Sequence, residues 1–435
     1  MKRTDQDARL RQQIAYCLTS PFYRRRFEEL GIDPTGVRTL DDLNQLPILL
    51  SPAEHRRLQD ATLERDGHPF GDFLCADPAA VVSVSSTSGT TGTPVLYAFT
   101  AADIAITNET WARAFRFIGL RPGDGMVVGF GLSMYLAGVP LVRAGEAFGL
   151  RTVAVGAESG TSKLLRMLAV LRPRVLACTP SFAEHLIERA PECLGRSAAS
   201  LGVEVILCAG EPGAGLPAVR QKLSDGWGGA RVHDVLGGVH GVINASCDSD
   251  EYTGMHVLAP DHCVTTQLVD PETKEGLTVI DGTIGERVKT ALSWQAAPPL
   301  RYSVGDMYQV FTETCRCGVS GERIKVIGRT DDLLIVKGVK VYPAAVKDIV
   351  TSFVPQLTGE LRITLDGPPP RVVPPLRVTV EAGVGVSPDR HDELASRLAE
   401  AMHRRLAIRP RLTVVPAGTF ERSAHKAKLV EVAGG

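Results

Sequence analysis

The spacing of hydrophobic and polar positions changes along the chain. Residues 1 to about 70 carry charged, helix-like spacing punctuated by Pro47 and Pro52. From Val81 to about Leu207, apolar runs at Met126–Phe130, Thr152–Val155, Val175–Cys178 and Val203–Cys208 alternate with amphipathic stretches such as Ser162–Leu171 and Ser181–Ala190. Short apolar runs read as buried strands and the amphipathic stretches between them as helices. That alternation predicts an α/β fold with a mainly parallel sheet. From about Val257 to Val310 the pattern turns to short strands with Gly and Pro turns, which predicts a smaller β-rich subdomain. A boundary falls near Gly328-Arg329. Beyond it come a strand at Leu333–Val336, a helix at Pro343–Phe353 and strands at Leu361–Leu365 and Leu376–Glu381. A helix at Pro388–Leu406 and a strand at Leu412–Val415 follow. This β-α-β-β-α-β order predicts a small α+β domain of about 100 residues. The expected division is therefore a large domain over 1–327 and a small one over 328–435.

Composition narrows the class. The 435 residues are 44% hydrophobic and 22% charged, ordinary for a globular chain and long enough for two or three domains. A formal net charge of −1 argues against nucleic acid or an anionic membrane as partner. The polar start Met1–Asp7 has no apolar core, so no signal peptide and a cytoplasmic location are expected. The longest apolar stretch, Met126–Val142, contains Gly129, Gly131, Gly138 and Pro140 and is short for a membrane span. Nine cysteines then read as reduced thiols, with or without a metal site, rather than a disulfide framework.

The densest chemical signal is Ser85-Ser86-Thr87-Ser88-Gly89-Thr90-Thr91-Gly92-Thr93-Pro94, which follows the apolar run Ala79–Val82. Gly89 and Gly92 allow positive φ and close backbone approach. Backbone N–H groups and hydroxyls can then surround phosphate oxygens. No Gly-Lys-Ser/Thr ends the loop, so it is not the common P-loop. The plain alternative is a flexible linker. Ser-Gly-Thr-Thr-Gly-x-Pro resembles the phosphate loop of the adenylate-forming enzymes, the acyl-CoA synthetase and adenylation-domain superfamily. That resemblance implies ATP contacts at Ser86, Thr87, Ser88, Gly89, Thr90, Thr91 and Gly92. Thr93 stands where many members carry Lys.

Three further motifs occur in the superfamily's order. Tyr302-Ser303-Val304-Gly305-Asp306 resembles the Tyr-x-x-Gly-Asp motif, whose Asp holds a ribose, a role carried onto Asp306. A carboxylate suits a diol because it offers two acceptor oxygens. Gly328-Arg329-Thr330-Asp331-Asp332 resembles the hinge motif. The resemblance implies that Arg329 contacts the nucleotide and that Asp331 is the pivot of a mobile C-terminal domain. Arg422-Ser423-Ala424-His425-Lys426-Ala427-Lys428 resembles the terminal Gly-Lys-Ala context, so Lys426 is the expected catalytic lysine, with Lys428 as fallback. A lysine there neutralises charge on the carboxylate and α-phosphate.

The N-terminal run Pro21-Phe22-Tyr23, with Phe27, Gly31-Ile32, Leu40–Leu43 and Leu46-Pro47, resembles phenylacetate–CoA ligases. So do Ala209-Gly210-Glu211-Pro212 and Gly338–Pro343. These enzymes activate an aryl or arylalkyl acid with ATP and Mg²⁺, release pyrophosphate and pass the acyl group to CoA. By the same resemblance Gly210, Glu211, Pro212, Asp234, Leu236 and Gly237 line the nucleotide, and Tyr135, Gly237 and Gly238 lie near the acyl group. A carrier-protein phosphopantetheine presents the same thiol as CoA, an amine is a further possible acceptor, and a homodimer is a possible assembly.

One motif departs. Where the family has Tyr-Gly-x-Thr-Glu, this chain reads Leu236-Gly237-Gly238-Val239-His240. The Glu that helps hold Mg²⁺ is replaced by His240, and Mg²⁺ prefers oxygen ligands. Either the triphosphate and water hold the metal, His240 has another task such as acyl contact or base, or the chain is a nucleotide-binding paralogue without turnover. Retention of Asp306, Arg329 and Lys426 favours the first two. Finally, Cys315-Arg316-Cys317-Gly318 can aim two thiolates at one metal. Some relatives share an early Cys, a Gly-x-His and a later Cys-x-Cys-Gly, which maps a structural zinc onto Cys247, His256, Cys315 and Cys317. Free thiols in turns are the alternative.

Overall fold

The computed structural model describes residues 3–86, 94–211, 213–238, 240, 242–249, 251–420 and 429–433. Five parallel strands form one half of the main sheet, in the order Arg151–Ala154, Gly125–Val128, Val175–Cys178, Val205–Cys208 and Arg231–Gly237. Val175–Cys178 and Val205–Cys208 are buried throughout, as parallel strands covered by helices on both faces must be. Helices Thr161–Leu171, Pro180–Leu194 and Pro217–Gly226 cover one face. Ala101–Phe117 and Val139–Phe148 cover the other. The long apolar stretch is thus one buried strand, a loop and the first turn of a helix.

The β-rich region is not separate. After Gly237 the chain turns and returns as Ile243–Ala245, antiparallel to the strand it left. Met255–Val257, Arg323–Arg329, Tyr302–Phe311, Ile284–Ala291 and Cys263–Val269 extend the ladder, giving one sheet of eleven strands. A hairpin needs only a short turn, so the sheet continues across the point where the sequence pattern changes.

The N-terminal segment is helical as expected, over Arg3–Cys17, Pro21–Glu29, Leu40–Gln45 and Pro52–Asp66. Local chemistry sets the boundaries. Ser20 and Ser51 cap helices that begin with Pro, and Thr39 with Asp42 forms a reciprocal capping box. The apolar faces, including Leu10, Ile14, Tyr23 and Phe27, pack against Val264, Leu292, Leu300 and Tyr302 at the antiparallel end of the sheet.

Beyond the hinge motif, strands Arg411–Val415, Arg377–Ala382, Leu357–Leu365 and Val430–Val432 form a four-stranded sheet in that order. Helices Pro343–Thr351 and His391–Leu406 pack on it. The expected first strand differs. Leu334–Val336 pairs with Val339–Val341 and Arg371–Val372 in a sheet of its own, because Lys337-Gly338 turns the chain at positive φ. No described helix is long and apolar enough to cross a membrane.

Candidate active site

The carboxyl ends of parallel strands are where α/β sheets place ligands. Two of the expected segments meet there. Cys208 is in register with Asp234, so Ala209-Gly210-Glu211 and Val235–Gly238 emerge side by side. Gly210 takes φ +91°. Glu211 accepts the backbone N–H of Ser181 at 2.8 Å, at the start of the Pro180–Leu194 helix, where N–H groups lack helical partners. Burial pushes its carboxyl pKa up, and Ser181 and then Lys347 oppose that rise. Asp234 accepts the Tyr252 hydroxyl at 2.6 Å. Its pKa too is raised by burial, with Tyr252 and Arg220 opposing. Leu236 pairs with Asn244 and Gly237 with Ile243. A Cβ on Gly237 would lie 3.2 Å from Ile243, whereas Gly238 faces open space. Pro212 lies outside the described residues.

The structure brings the ribose and hinge motifs together. Asp306 and Arg329 are partners on adjacent strands, and Arg329 Nη1 donates to Asp306 Oδ1 at 2.9 Å. Gly305 takes φ +73°, and a Cβ there would meet Arg329 Nη2 at 3.2 Å. Its carbonyl accepts the Thr330 N–H at 2.8 Å. Asp331, with a side chain 82% exposed, lies 3.5 Å from Arg329 Nη2. A carboxylate from the middle of Tyr302–Phe311 thus meets a guanidinium on the last residue of Arg323–Arg329.

The Ser-rich segment begins on strand Val81–Ser86, antiparallel to Leu96–Thr100. Ser86 is buried, and its N–H donates to Met134 O at 2.9 Å, beside half-exposed Tyr135. Thr87, Ser88, Gly89, Thr90, Thr91, Gly92 and the lysines Lys426 and Lys428 lie outside the described residues.

His240 takes φ +74°, uncommon for a residue with a Cβ. The residue is 5% exposed. It makes edge contacts with Trp294 at 5.5 Å, Tyr97 at 6.0 Å and Tyr302 at 6.4 Å. The imidazole is therefore part of an aromatic cluster between the Leu96–Thr100 strand and the ribose-motif strand. Trp294, unmarked by any motif, is fixed by Gln13, whose side-chain amide accepts its main-chain N–H at 2.9 Å and donates to its main-chain carbonyl at 3.0 Å. Lys289 lies 5.3 Å over the Tyr302 ring.

Elsewhere, the donor atoms of Cys247, His256, Cys315 and Cys317 all lie within 4.8 Å of one another. Cys247 Sγ is 3.7 Å from Cys315 Sγ, and Cys317 Sγ is 3.4 Å from His256 Nε2. Zinc–sulfur bonds of about 2.3 Å in a tetrahedron set sulfurs about 3.8 Å apart, so the spacing fits zinc. Three sulfurs and one imidazole are a donor set of the structural zinc kind. Two other potential donors in this region point away from the cluster: His262 contacts Ser293 and Glu109, and Cys263 is buried in the sheet.

Comparison with known proteins agrees with this layout. Residues 338–431 match the family model described as the AMP-binding enzyme C-terminal domain. The chain is 31% identical to the phenylacetate–coenzyme A ligase of Thermus thermophilus, over 97% of this chain and 94% of that protein. Among solved structures it resembles 2-hydroxyisobutyryl-CoA ligase in the postadenylation state with R3-HIB-AMP. There the identity is 25%, the coverage 98% of this chain and 88% of that one, and the TM-score 0.86. Against the same ligase with 2-HIB-AMP and CoA in the thioesterification state, identity is 26%, coverage 99% and 89%, and the TM-score 0.69.

Proposed function

The chain belongs to the phenylacetate–coenzyme A ligase family, and from that premise we propose that it is an AMP-forming acid–CoA ligase. A carboxylate oxygen of the acid attacks the α-phosphorus of ATP and pyrophosphate leaves. The CoA thiolate then attacks the acyl carbon and AMP leaves. One observation carries this reading: Asp306 and Arg329, in register on adjacent strands, form an ion pair at the start of the hinge motif.

On this reading Asp306 takes the ribose diol and Arg329 the nucleotide. Gly210–Pro212 with Asp234, Leu236 and Gly237 form the adenine side, and the 86–92 segment takes the phosphates. Lys426 neutralises the reacting carboxylate and α-phosphate. Tyr135, Gly237 and Gly238 border the acyl group, and open space at Gly238 supports that assignment. The moving unit is 328–435, turning about Asp331. CoA is the preferred acceptor over a carrier protein, and we place the enzyme in the cytoplasm as a monomer or homodimer.

Mg²⁺ finds no carboxylate at position 240. The imidazole there is buried among aromatic rings, and a ring nitrogen is a poor ligand for this ion. The metal therefore enters with the triphosphate, and His240 shapes the pocket wall. By contrast Cys247, His256, Cys315 and Cys317 suit zinc, which would cross-link the turn after the altered motif to the loop before Arg323–Arg329.

Acid-dependent exchange of labelled pyrophosphate into ATP, across aryl, heteroaryl and short aliphatic acids, tests the reading, with Lys426→Ala as the blank. Exchange with one acid, followed by thioester formation on adding CoA, is the expected result. Exchange without a thioester would point to an amine acceptor. ATP binding with no exchange would favour a second reading, nucleotide binding without turnover, which draws on the imidazole at position 240.

A further inference from the structure

Two buried polar side chains on one face of the Pro52–Asp66 helix have no role in the scheme above. Gln59 is 1% exposed and His55 2%. One turn apart, they point the same way. The Gln59 amide donates to Pro94 O at 3.1 Å and accepts from Leu96 N–H at 2.8 Å. His55 Nε2 lies 3.2 Å from Leu96 O. A carbonyl only accepts, so Nε2 carries the proton and Nδ1 is left as acceptor. Nδ1 lies 3.4 Å from the Tyr302 hydroxyl, which lies 3.4 Å from that of Tyr97. Burial holds the imidazole neutral, with its pKa pushed down to about 3, which keeps this tautomer intact at any ordinary pH.

These bonds converge on Pro94–Leu96, the residues by which the Ser/Thr/Gly segment rejoins its strand. The other end is held by Ser86 N–H on Met134 O. Through His55 the same helix also reaches Tyr302, the first residue of the motif that ends in Asp306.

We propose that Gln59 and His55 are positioning residues for ATP: they fix the outgoing end of the phosphate segment and tie it to the ribose strand. The proposal rests on the nucleotide reading above. A main-chain N–H and C=O gripped by one buried amide cannot shift independently, and a buried group left unpaired is costly. The helical N-terminal region is thereby part of the nucleotide site, although it contributes no atom to the nucleotide.

The test separates phosphate recognition from general damage. Affinities for ATP and for AMP are measured by calorimetry on the full chain carrying Gln59→Met, which keeps volume but no polar atom. ATP affinity should fall roughly tenfold or more, with AMP affinity within about twofold of wild type. Unchanged ATP affinity, or equal loss for both nucleotides, overturns the proposal. His55 supplies a second arm. His55→Gln keeps an N–H donor for Leu96 and should lie closer to wild type than His55→Phe, and equal ATP losses in the two would also overturn it. If wild type binds neither nucleotide, the nucleotide reading itself fails.

Discussion

Lys289 shows what burial does to a single charge. The residue is 3% exposed, and its pKa is pushed down to about 7, first by desolvation and then by Arg287. An unfolded lysine titrates near 10.4. Between those values the unfolded chain binds more protons than the folded one. Stability from this residue is therefore present above pH 10 and lost as the pH falls towards 7. Lys289→Met should raise Tm at pH 7 by roughly 2–4 °C, with the gain shrinking by pH 10. Equal gains at both pH values would mean that the charge is not the cause. Asp306→Ala tests a different residue. Arg329, 40% exposed, loses little when unpaired, so the effect should come from the nucleotide. ATP affinity should drop about 10- to 150-fold, equivalent to about 1.5–3 kcal/mol, and unchanged binding would remove Asp306 from the ribose site. Asp306 and Arg329 were legible because each sits in a dense local motif. Gln59, His55 and Trp294 were not. Each is a lone polar or aromatic residue whose partners lie 35 or more positions away, and no local pattern encodes such a meeting.

The elements tell a similar story about range. The parallel strands and their covering helices were readable from apolar runs and amphipathic spacing, because each buries its own face locally. The merging of the β-rich region into the same sheet was not, since pairing of Arg323–Arg329 with Met255–Val257 is a long-range choice. One member of the cysteine and histidine cluster lies in that pairing, His256 opposite Arg323. Cys247 follows Ile243–Ala245 and His256 lies within Met255–Val257, while Cys315 and Cys317 lie in the loop from Tyr302–Phe311 to Arg323–Arg329. A zinc ion there would cross-link four strands of the antiparallel half. Purified protein should hold about one zinc per chain by elemental analysis. Cys315→Ser should lose it and lower Tm by several degrees, because the donors fold around the metal. Metal-free wild type with the same Tm would assign the four residues to a plain turn cluster.

At the scale of the whole molecule, the two comparisons with one ligase separate sequence from arrangement. Identity is nearly equal, 25% and 26%, yet the TM-score is 0.86 in the postadenylation state and 0.69 in the thioesterification state. The chain thus superposes more fully on the postadenylation structure than on the thioesterification one. Contacts join the residues after Arg329 to the rest of the chain: Lys340 reaches Glu272 at 2.5 Å, and Lys347, paired with Glu360 at 3.2 Å, lies within electrostatic reach of Glu211. Lys340 and Glu272 are 43% and 66% exposed, so their pair contributes about 1 kcal/mol at most. That shifts a two-state ratio by about fivefold, too little to lock an arrangement. The Asp331 side chain is exposed and has little packing to lose. Proline at that position fixes φ near −65° and restricts Thr330 as well. If the C-terminal unit turns about Asp331 between the two half-reactions, Asp331→Pro should leave pyrophosphate exchange within about threefold of wild type. Thioester formation from the same acid should fall at least tenfold, on the order expected for a step that needs the conformational change. Equal loss in both halves would mean general damage. No loss in either would place the pivot elsewhere in Arg329–Asp332, or show that both reactions run in the arrangement seen here.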